Sequence, residues 1–519
     1  MTTIVIGLDG ANWQMIDQWI EDGILPNLSQ LIDTGIGGIS ESCLPPLTVP
    51  NWKCYSTGKN PGKLDVFRFD KINTDAREHT FHDATDFKSA ELWEYLNEGG
   101  YTTGIINKPS TYPPKPVDGF VIAGGPDASN SEFRTLDSGF TYPADLADEL
   151  RDSLDYSVHP SPMISPSEKG EDEVAAILEL ISSRFDAAEY LLKQSSVDFL
   201  HMTAFYNMAL QHYFWRDEPV RRAWEVIDQN LSRFMNDGHD LIIMSDHGTC
   251  KVESVFYINV WLAERGYLAT QRNIDNVLRT VGITRERALS VAKRFGLVDG
   301  LSTHVPEQLQ KMVPWEEGIK RDRILSIIDW EKTDAVASTQ GPVYLTPTSE
   351  TPEFERLRET LITELTELSH PETGTVLIND VHRGEEYYTG SYASNAPDLL
   401  LEQGPNVHIS DAVGPANWYA SSGVWKGGNM PDGLFLMNGP SFRNGGLNQR
   451  ANIVDIAPTI LHLFDLPIPE DMDGKVLDVF STTYNRPVEY GPPLERDHHS
   501  TLSETNEIAE RLADLGYLE

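Results

Sequence analysis

Short runs of consecutive apolar residues alternate with helical segments along most of this chain, and that alternation constrains its fold more than any other feature. The first run covers residues 4–8 and ends at Asp9-Gly10, before a helical pattern. Apolar runs without polar interruptions indicate strands that are buried on both faces of a sheet. The sequence therefore predicts an α/β fold with helices on both faces of a mostly parallel central sheet. The further predicted strands cover residues 103–106, 119–122, 199–203, 241–245, 343–345, 398–401 and 433–437.

Three segments depart from the alternation. Residues 261–325 are rich in charged helix formers, which predicts a helical insertion or cap, with an ordinary peripheral helix pair as the alternative. Residues 127–169 hold many Ser, Pro and Asp residues and are predicted to form a long irregular excursion. Residues 481–519 are predicted to be a tail whose last helix, capped by Ser503, docks on the body. We expect a single domain over residues 1–519, because a chain of this length can bury one large core.

The chain is strongly acidic, with 41 Lys and Arg against 79 Asp and Glu and a net charge of −38. Nucleic acid and anionic lipid are polyanions that such a surface repels, so neither is an expected partner. The acidic residues are spread along the chain, which is typical of surfaces adapted to concentrated salt, where the Debye length falls to about 3 Å at 1 M. We interpret the source as halophilic.

The sequence also bears on the compartment. It has no run of about 18 apolar residues that would span a membrane, and its first strand starts too close to Met1 for a secretion signal. The three cysteines, Cys43, Cys54 and Cys250, form neither a disulfide framework nor a CxxC pair. We expect a cytoplasmic protein with reduced thiols, and the oligomeric state is left open.

A carboxylate and a hydroxyl stand where α/β folds collect ligands. Asp9 directly follows a buried-type strand, and the carboxyl ends of such strands border the ligand crevice. Thr48 lies just ahead of a proline that suits the first turn of a helix, whose free N–H groups attract anions. A hydroxyl there is suited to attack phosphorus. The alternative for each residue is a plain capping role.

Two further segments carry possible metal ligands. Asp246 and His247 follow the predicted strand 241–245 and would offer an oxygen and a nitrogen to one ion, a mixture that Zn²⁺ accepts. His212 follows the predicted strand 199–203 on a helix, where it would be a ligand or, alternatively, a packed or capping histidine.

These motifs together resemble the type I phosphodiesterase/nucleotide pyrophosphatase family of the alkaline-phosphatase superfamily, especially its archaeal predicted phosphohydrolase or phosphomutase members. Each motif is loose alone, but their order is specific and spans nearly the whole chain. The resemblance implies an alkaline-phosphatase-like three-layer sandwich. The matching segments are residues 7–10 (GLDG), 45–52 (PPLTVPNW), 57–63 (TGKNPGK), 245–248 (SDHG), 327–333 (IIDWEKT), 396–398 (APD), 455–461 (DIAPTIL) and 469–474 (PEDMDG).

The resemblance further implies a two-metal hydrolase in which a hydroxyl, here that of Thr48, binds one ion and attacks phosphorus. Asp9, Thr48, Asp246 and His247 match the complete ligand set of that ion. The expected ion is divalent, with Zn²⁺ first and Mn²⁺ or Mg²⁺ as alternatives, and it would lower the pKa of the hydroxyl. The expected substrate is a small phosphate monoester or diester of a nucleotide, a glycan or a lipid head group.

The second ion of the resembled family lacks most of its ligands here. Its Asp, His and distant His correspond to Met208, His212 and Asn429, of which only His212 is a strong donor. Asn207 is next to Met208 but points about 100° away around the helix. We therefore expect one tightly held ion and leave a second open.

Two functions follow from this loss. The first is a hydrolase or phosphotransferase that works through Thr48, and the second is a catalytically weakened relative that binds or regulates. A sulfatase fits less well, because sulfatases of this superfamily use a modified Cys or Ser.

Overall fold

A computed structural model of the chain describes residues 1–73, 78–81, 84, 87, 89–124, 138–159, 170–235, 238–270, 327–347, 349, 351–413, 415, 417–423, 425–484 and 486–494. The strands, numbered along the chain, are β1 (Thr3–Leu8), β2 (Ile36–Glu41), β3 (Asp70–Asn73), β4 (Glu78–Phe81), β5 (Thr103–Ile106), β6 (Gly119–Ile122), β7 (Thr141–Tyr142), β8 (Phe199–Ala204), β9 (Asp240–Met244), β10 (Gly248–Lys251), β11 (Ser254–Tyr257), β12 (Ala335–Ala337), β13 (Pro342–Leu345), β14 (Ile378–Arg383), β15 (Leu399–Gln403), β16 (Val407–Ser410), β17 (Tyr419–Ser421), β18 (Gly427–Met430), β19 (Asp432–Asn438), β20 (Gly446–Asn452), β21 (Ile468–Pro469) and β22 (Tyr490–Gly491).

The helices are numbered in the same way. They are α1 (Trp13–Glu21), α2 (Pro26–Thr34), α3 (Thr48–Thr57), α4 (Pro61–Leu64), α5 (Leu92–Glu98), α6 (Leu146–Leu154), α7 (Glu171–Gln194), α8 (Asn207–Phe214), α9 (Glu218–Leu231), α10 (Ile258–Arg265), α11 (Pro352–Thr366), α12 (Gly384–Tyr387) and α13 (Ile456–Leu463).

The largest sheet has nine strands in the order β20-β2-β19-β9-β1-β8-β5-β6-β7. Strands β19 and β7 run antiparallel to their neighbours, and the other strands are parallel to one another. β1 lies in the middle, paired with β8 and β9, and all six of its residues are buried. The mostly parallel sheet predicted from the apolar runs is confirmed, and Asp9 follows its central strand.

The helices pack in two groups, as expected for layers on the two faces of a sheet. α2, α7 and α8 each contact α9, and α3 and α5 each contact α13. The predicted strands agree with the structure. Residues 103–106 and 119–122 are β5 and β6 with the same bounds, and the other predicted strands overlap β8, β9, β13, β15 and β19 with ends displaced by at most about two residues.

A second, smaller core lies beside the central sheet. It is built on the antiparallel sheet β12-β13-β15-β14 and on β16-β11-β17, with helix α11. Phe256, Trp261 and Leu361 are among its buried side chains. That this region and the central sheet belong to a single domain stays a prediction.

The prediction for residues 127–169 is wrong in its described part, residues 138–159. That part contains a 3₁₀ turn, the edge strand β7 and helix α6. Leu146, Ala147 and Leu150 form the buried face of α6. This amphipathic pattern is short, and the Ser and Pro residues around it favoured the prediction of an irregular segment.

Two predictions fall largely outside the described residues. Within 261–325 only the end of α10 and the following residues to 270 are described, and the C-terminal helix after Ser503 lies beyond them. Of the helices in the described ranges, none has the length and apolar composition needed to cross a bilayer.

Candidate metal and nucleophile site

Three elements bring functional side chains to one point at the carboxyl edge of the central sheet. Asp9 follows β1, Asp246 and His247 follow the adjacent parallel strand β9, and Thr48 is the first residue of α3. Parallel neighbours end at the same edge, so residues far apart in sequence meet there. The structure buries all four side chains completely.

The distances between their donor atoms suit one shared ion. His247 Nε2 lies 3.3 Å from Thr48 Oγ1, 3.2 Å from Asp246 Oδ2 and 3.8 Å from Asp9 Oδ1. Ligand atoms that surround a tetrahedral Zn²⁺ at about 2.0–2.2 Å would be separated by about 3.3–3.6 Å. Asp9, Asp246 and His247 have ligand atoms that all lie within 4.8 Å of one another. The residues present therefore fit a divalent ion.

The tautomer of His247 also suits an ion. Its Nδ1 lies 3.0 Å from the carbonyl oxygen of Gly248, which can only accept, so Nδ1 carries the proton. Nε2 then presents its lone pair to the carboxylates and to Thr48. Burial lowers the pKa of His247 to about 3, so the imidazole is neutral at physiological pH.

The pKa of Asp246 is shifted in the opposite direction from that of His247. Its Oδ1 accepts a hydrogen bond from the backbone N–H of Gly10 at 3.2 Å, whereas Oδ2 has no hydrogen-bond donor among the described residues. Burial, and after it the nearby Asp9 carboxylate, raises the pKa of Asp246 well above its usual value. Two buried carboxylates at such proximity are costly unless a cation or a proton neutralises them.

These pKa shifts predict that ion binding displaces a proton from the carboxyl pair and none from His247. The protonated carboxyl competes with the ion, so lower pH weakens binding, by about tenfold per unit while one proton is displaced. Calorimetric titration of the metal-free protein with Zn²⁺, in two buffers of different ionisation enthalpy, would count the protons released. A Zn²⁺ affinity that does not fall as the pH is lowered would contradict the raised pKa.

The capping alternatives for Asp9 and Thr48 do not describe the structure. Asn12 caps α1, accepting from the N–H of Met15, while Asp9 Oδ2 accepts from Trp52 Nε1 at 2.9 Å. Leu47 is the N-cap of α3, and the Thr48 hydroxyl faces His247 instead. The positive end of the α3 dipole is at Thr48, which favours an anion there.

Sequence reasoning missed the residues that support α3. The side-chain amide of Asn51 bonds the backbone of Cys43, Pro45 and Leu47 and so fixes the segment ahead of Thr48. The one sequence signal for this role is an Asn in the first turn of a predicted helix, because its side chain can hydrogen-bond the backbone ahead of the helix.

A buried charge cluster fixes the other side of α3. One oxygen of Glu91 accepts from Lys53 Nζ at 2.9 Å, from Ser56 Oγ at 2.8 Å and from Lys108 Nζ at 3.2 Å. Burial lowers the pKa of Lys53 well below its usual value, and the Glu91 carboxylate opposes that shift. No sequence signal joins Glu91 and Lys108 to α3, because the three lie in separate segments of the chain.

Met208, which the resemblance aligns with a ligand of the second ion, is fully buried in the structure. Its Sδ lies 3.2 Å from Thr249 Oγ1 and 3.3 Å from Gln211 Nε2. Gly10, with φ of +67°, has no room for a side chain, because a Cβ would lie 2.1 Å from this sulfur. The thioether therefore fills the space under the turn that follows β1.

His212 lies on the same helix, α8, and is buried. Its Nδ1 lies 2.8 Å from the carbonyl oxygen of Gly427, and its ring packs edge-on against Trp425. Burial lowers its pKa to about 4. His212 is not part of the group whose ligand atoms come together around Asp246, and its role as a ligand stays a prediction.

The group of Asp9, Thr48, Asp246 and His247 is called the first site below. Asn207 and Asn429 contact it through their amides. Asn207 Nδ2 donates to the backbone oxygen of Asp9 at 2.8 Å. Asn429 Nδ2 lies 2.8 Å from the backbone oxygen of Pro46 and 3.2 Å from His247 Nε2. Neither contact was expected from the sequence, which presented Asn429 only as a lost ligand.

Known structures share this architecture. Human ectonucleotide pyrophosphatase/phosphodiesterase 5 is 13% identical, with a TM-score of 0.50 over 92% of this chain and 97% of its own. Phosphonoacetate hydrolase from Sinorhizobium meliloti 1021, in complex with phosphonoformate, is 12% identical, with a TM-score of 0.52 over 88% of this chain and 94% of its own. At these identities the likeness establishes the fold, and the predicted alkaline-phosphatase-like class is confirmed.

The sequence itself matches the family model described as type I phosphodiesterase / nucleotide pyrophosphatase over residues 3–428. The matched range contains Asp9, Thr48, Asp246 and His247. The chain therefore belongs to the type I phosphodiesterase / nucleotide pyrophosphatase family, a family of metal-dependent enzymes that hydrolyse phosphoric esters.

Proposed function

We propose that this chain hydrolyses phosphate monoesters or diesters with Thr48 as its nucleophile and with one tightly held divalent ion. The observation that carries the proposal is the buried group of Asp9, Thr48, Asp246 and His247, in which a hydroxyl lies 3.3 Å from an imidazole nitrogen that presents its lone pair. A hydroxyl within an ion's ligand set is the arrangement that activates a weak alcohol nucleophile.

The chemistry divides into two displacements at phosphorus. Thr48 Oγ1 gives up its proton to solvent and forms a bond to phosphorus while the bond to the ester oxygen breaks, and the departing alkoxide takes up a proton from solvent to leave as the alcohol. Water then attacks the phosphorus bound to Thr48, which releases inorganic phosphate from a monoester or a phosphate monoester from a diester and restores the hydroxyl. A divalent ion, when bound, lowers the pKa of the hydroxyl and neutralises charge on the phosphoryl oxygens. Asp9, Asp246 and His247 would hold it.

The proposed ion is Zn²⁺, because the donor set combines carboxylate oxygens with an imidazole nitrogen. Mn²⁺ and Mg²⁺ are the alternatives. The proposed substrate is a small phosphorylated molecule, such as a nucleotide, a glycan phosphate or a lipid head group, and not a nucleic acid, which the net charge of −38 would repel.

We also propose a cytoplasmic location. Cys43 and Cys54 are buried free thiols, as a reducing compartment would keep them. The halophilic source stays a prediction from the acidic composition, and the archaeal origin stays a prediction from the family resemblance.

The test measures metal content and turnover on one preparation purified in high salt. We expect about one Zn²⁺ per chain and hydrolysis of p-nitrophenyl phosphate or bis-p-nitrophenyl phosphate that chelation removes and Zn²⁺ restores. A chain that holds its ion but turns over neither ester would favour the binding or regulatory function.

A further inference from the structure

The amide of Asn429 has a defined orientation at the first site. Asn429 is fully buried, and the pairing of β10 with β18 places it opposite Thr249, two positions beyond His247. Its Nδ2 lies 2.8 Å from the Pro46 carbonyl oxygen and 3.2 Å from His247 Nε2. Both partners are acceptors, because His247 carries its proton on Nδ1. The two amide protons therefore point at these two atoms, and the flipped amide would set Oδ1 against a carbonyl.

An ion in the first site removes one of those acceptors. His247 Nε2 has a single lone pair, and an ion that binds it leaves the second N–H of Asn429 without an acceptor. The bond to Pro46 is unaffected and keeps the amide in place. A buried donor without a partner is unfavourable, so the site then favours a ligand with an oxygen acceptor beside the ion.

The phosphoryl group of the substrate supplies such an oxygen. Thr48 Oγ1 lies 3.3 Å from the same Nε2 atom that Asn429 faces, so nucleophile and amide border one small volume. Pro46, whose carbonyl oxygen accepts a hydrogen bond from the Asn429 amide, is two residues ahead of Thr48. The same backbone segment therefore positions the amide and the nucleophile. Donors fixed before the reaction stabilise developing oxyanion charge most effectively.

We propose that Asn429 is a catalytic residue whose Nδ2 donates a hydrogen bond to a non-bridging oxygen of the phosphoryl group. This rests on the proposed function. A neutral N–H donor thereby takes over part of the charge stabilisation for which the resembled family has a second cation.

A rival role for the same residue is ligation of an ion by Oδ1, which has no hydrogen-bond donor among the described residues. Asn429→Ala separates the two roles, because it removes both atoms without adding charge. If Nδ2 binds the phosphoryl group, the variant loses affinity for a phosphate anion and keeps its affinity for Zn²⁺. If Oδ1 is an ion ligand, Zn²⁺ affinity falls.

The experiment measures inorganic phosphate binding to the Zn²⁺-loaded protein by calorimetry and Zn²⁺ binding by chelator competition. We expect Asn429→Ala to weaken phosphate binding about tenfold or more, as for loss of a hydrogen bond to a charged group, with Zn²⁺ affinity within about threefold of wild type. Asn259→Ala is the matched control. Asn259 is a fully buried amide in the second core that donates to the carbonyl oxygens of Ala337 and Asp411, and its loss should leave phosphate affinity unchanged.

Phosphate affinity that survives Asn429→Ala, or a fall confined to Zn²⁺ affinity, would overturn the inference. If the variant does not fold, the side-chain amide resonance of Asn429 in the wild type decides, because it should shift when phosphate is added to the Zn²⁺-loaded protein, and a constant resonance would overturn the inference. Wild type that binds phosphate through this amide but turns over no ester would instead contradict the proposed function alone.

Discussion

Thr48→Ala is expected to lower the rate of ester hydrolysis by about 10³-fold or more, because the variant removes the atom that bonds to phosphorus. Asp9, Asp246 and His247 remain, so the folded structure and most of the ion affinity should persist. Thr48→Ser keeps a hydroxyl at the start of α3 and should retain measurable turnover. Steady-state kinetics with a chromogenic phosphate ester and a chelator-based Zn²⁺ titration measure both properties.

Thr57→Ala provides a matched control on the same helix. Thr57 is also buried, and its hydroxyl donates to the backbone oxygen of Lys53 at 2.7 Å, away from the ion site. Its loss should cost stability without lowering the rate per folded molecule. Full activity of Thr48→Ala would show that water attacks phosphorus directly.

The double variant Met208→Asp/Asn429→His is expected to raise the metal content from about one to about two Zn²⁺ per chain and to increase phosphodiesterase turnover. With His212, the variant would supply three strong donors, the number that an open catalytic zinc site takes from protein. Gln211 Nε2, which now lies 3.3 Å from the Met208 sulfur, can donate a hydrogen bond to the new carboxylate.

Met208→Leu controls for the change in the core, since it keeps an apolar side chain of similar volume and adds no ligand. Elemental analysis after dialysis counts the bound ions. Two tightly held Zn²⁺ in the wild type would mean that another residue completes the second site and that the correspondence of Met208 and Asn429 with the family's ligands is wrong.

The parts of the structure predicted well from sequence depend on local patterns. Continuous apolar runs predicted β5 and β6 with their bounds, and the rule that ligands collect at strand ends predicted that Asp9 borders the ligand crevice. That Asp9 meets Asp246 and His247 was implied by the family resemblance. Strand β2 was missed because Gly37 and Gly38 break its apolar run. Gly37 is required there by close packing, since a Cβ would lie 2.3 Å from the Phe435 carbonyl oxygen.

The parts that could not be predicted depend on pairings between distant segments. Asn429 reaches His247 only because β18 pairs with β10 in one register, and no local pattern encodes that register. The same holds for Glu91, because one of its carboxylate oxygens accepts hydrogen bonds from donors on α3 and in the segment after β5. Sequence reasoning identifies residues that carry chemistry, whereas the groups that orient them emerge from the packing.

The central position of β1 has a consequence for how this protein would lose its activity. Amides in a strand that is buried and paired on both sides exchange with solvent through the opening of the whole sheet, not through local fraying. The turn that carries Asp9 starts from that strand, and Asp246 starts from its neighbour β9. The ion-binding geometry therefore belongs to the most cooperative part of the molecule, so thermal inactivation should coincide with global unfolding.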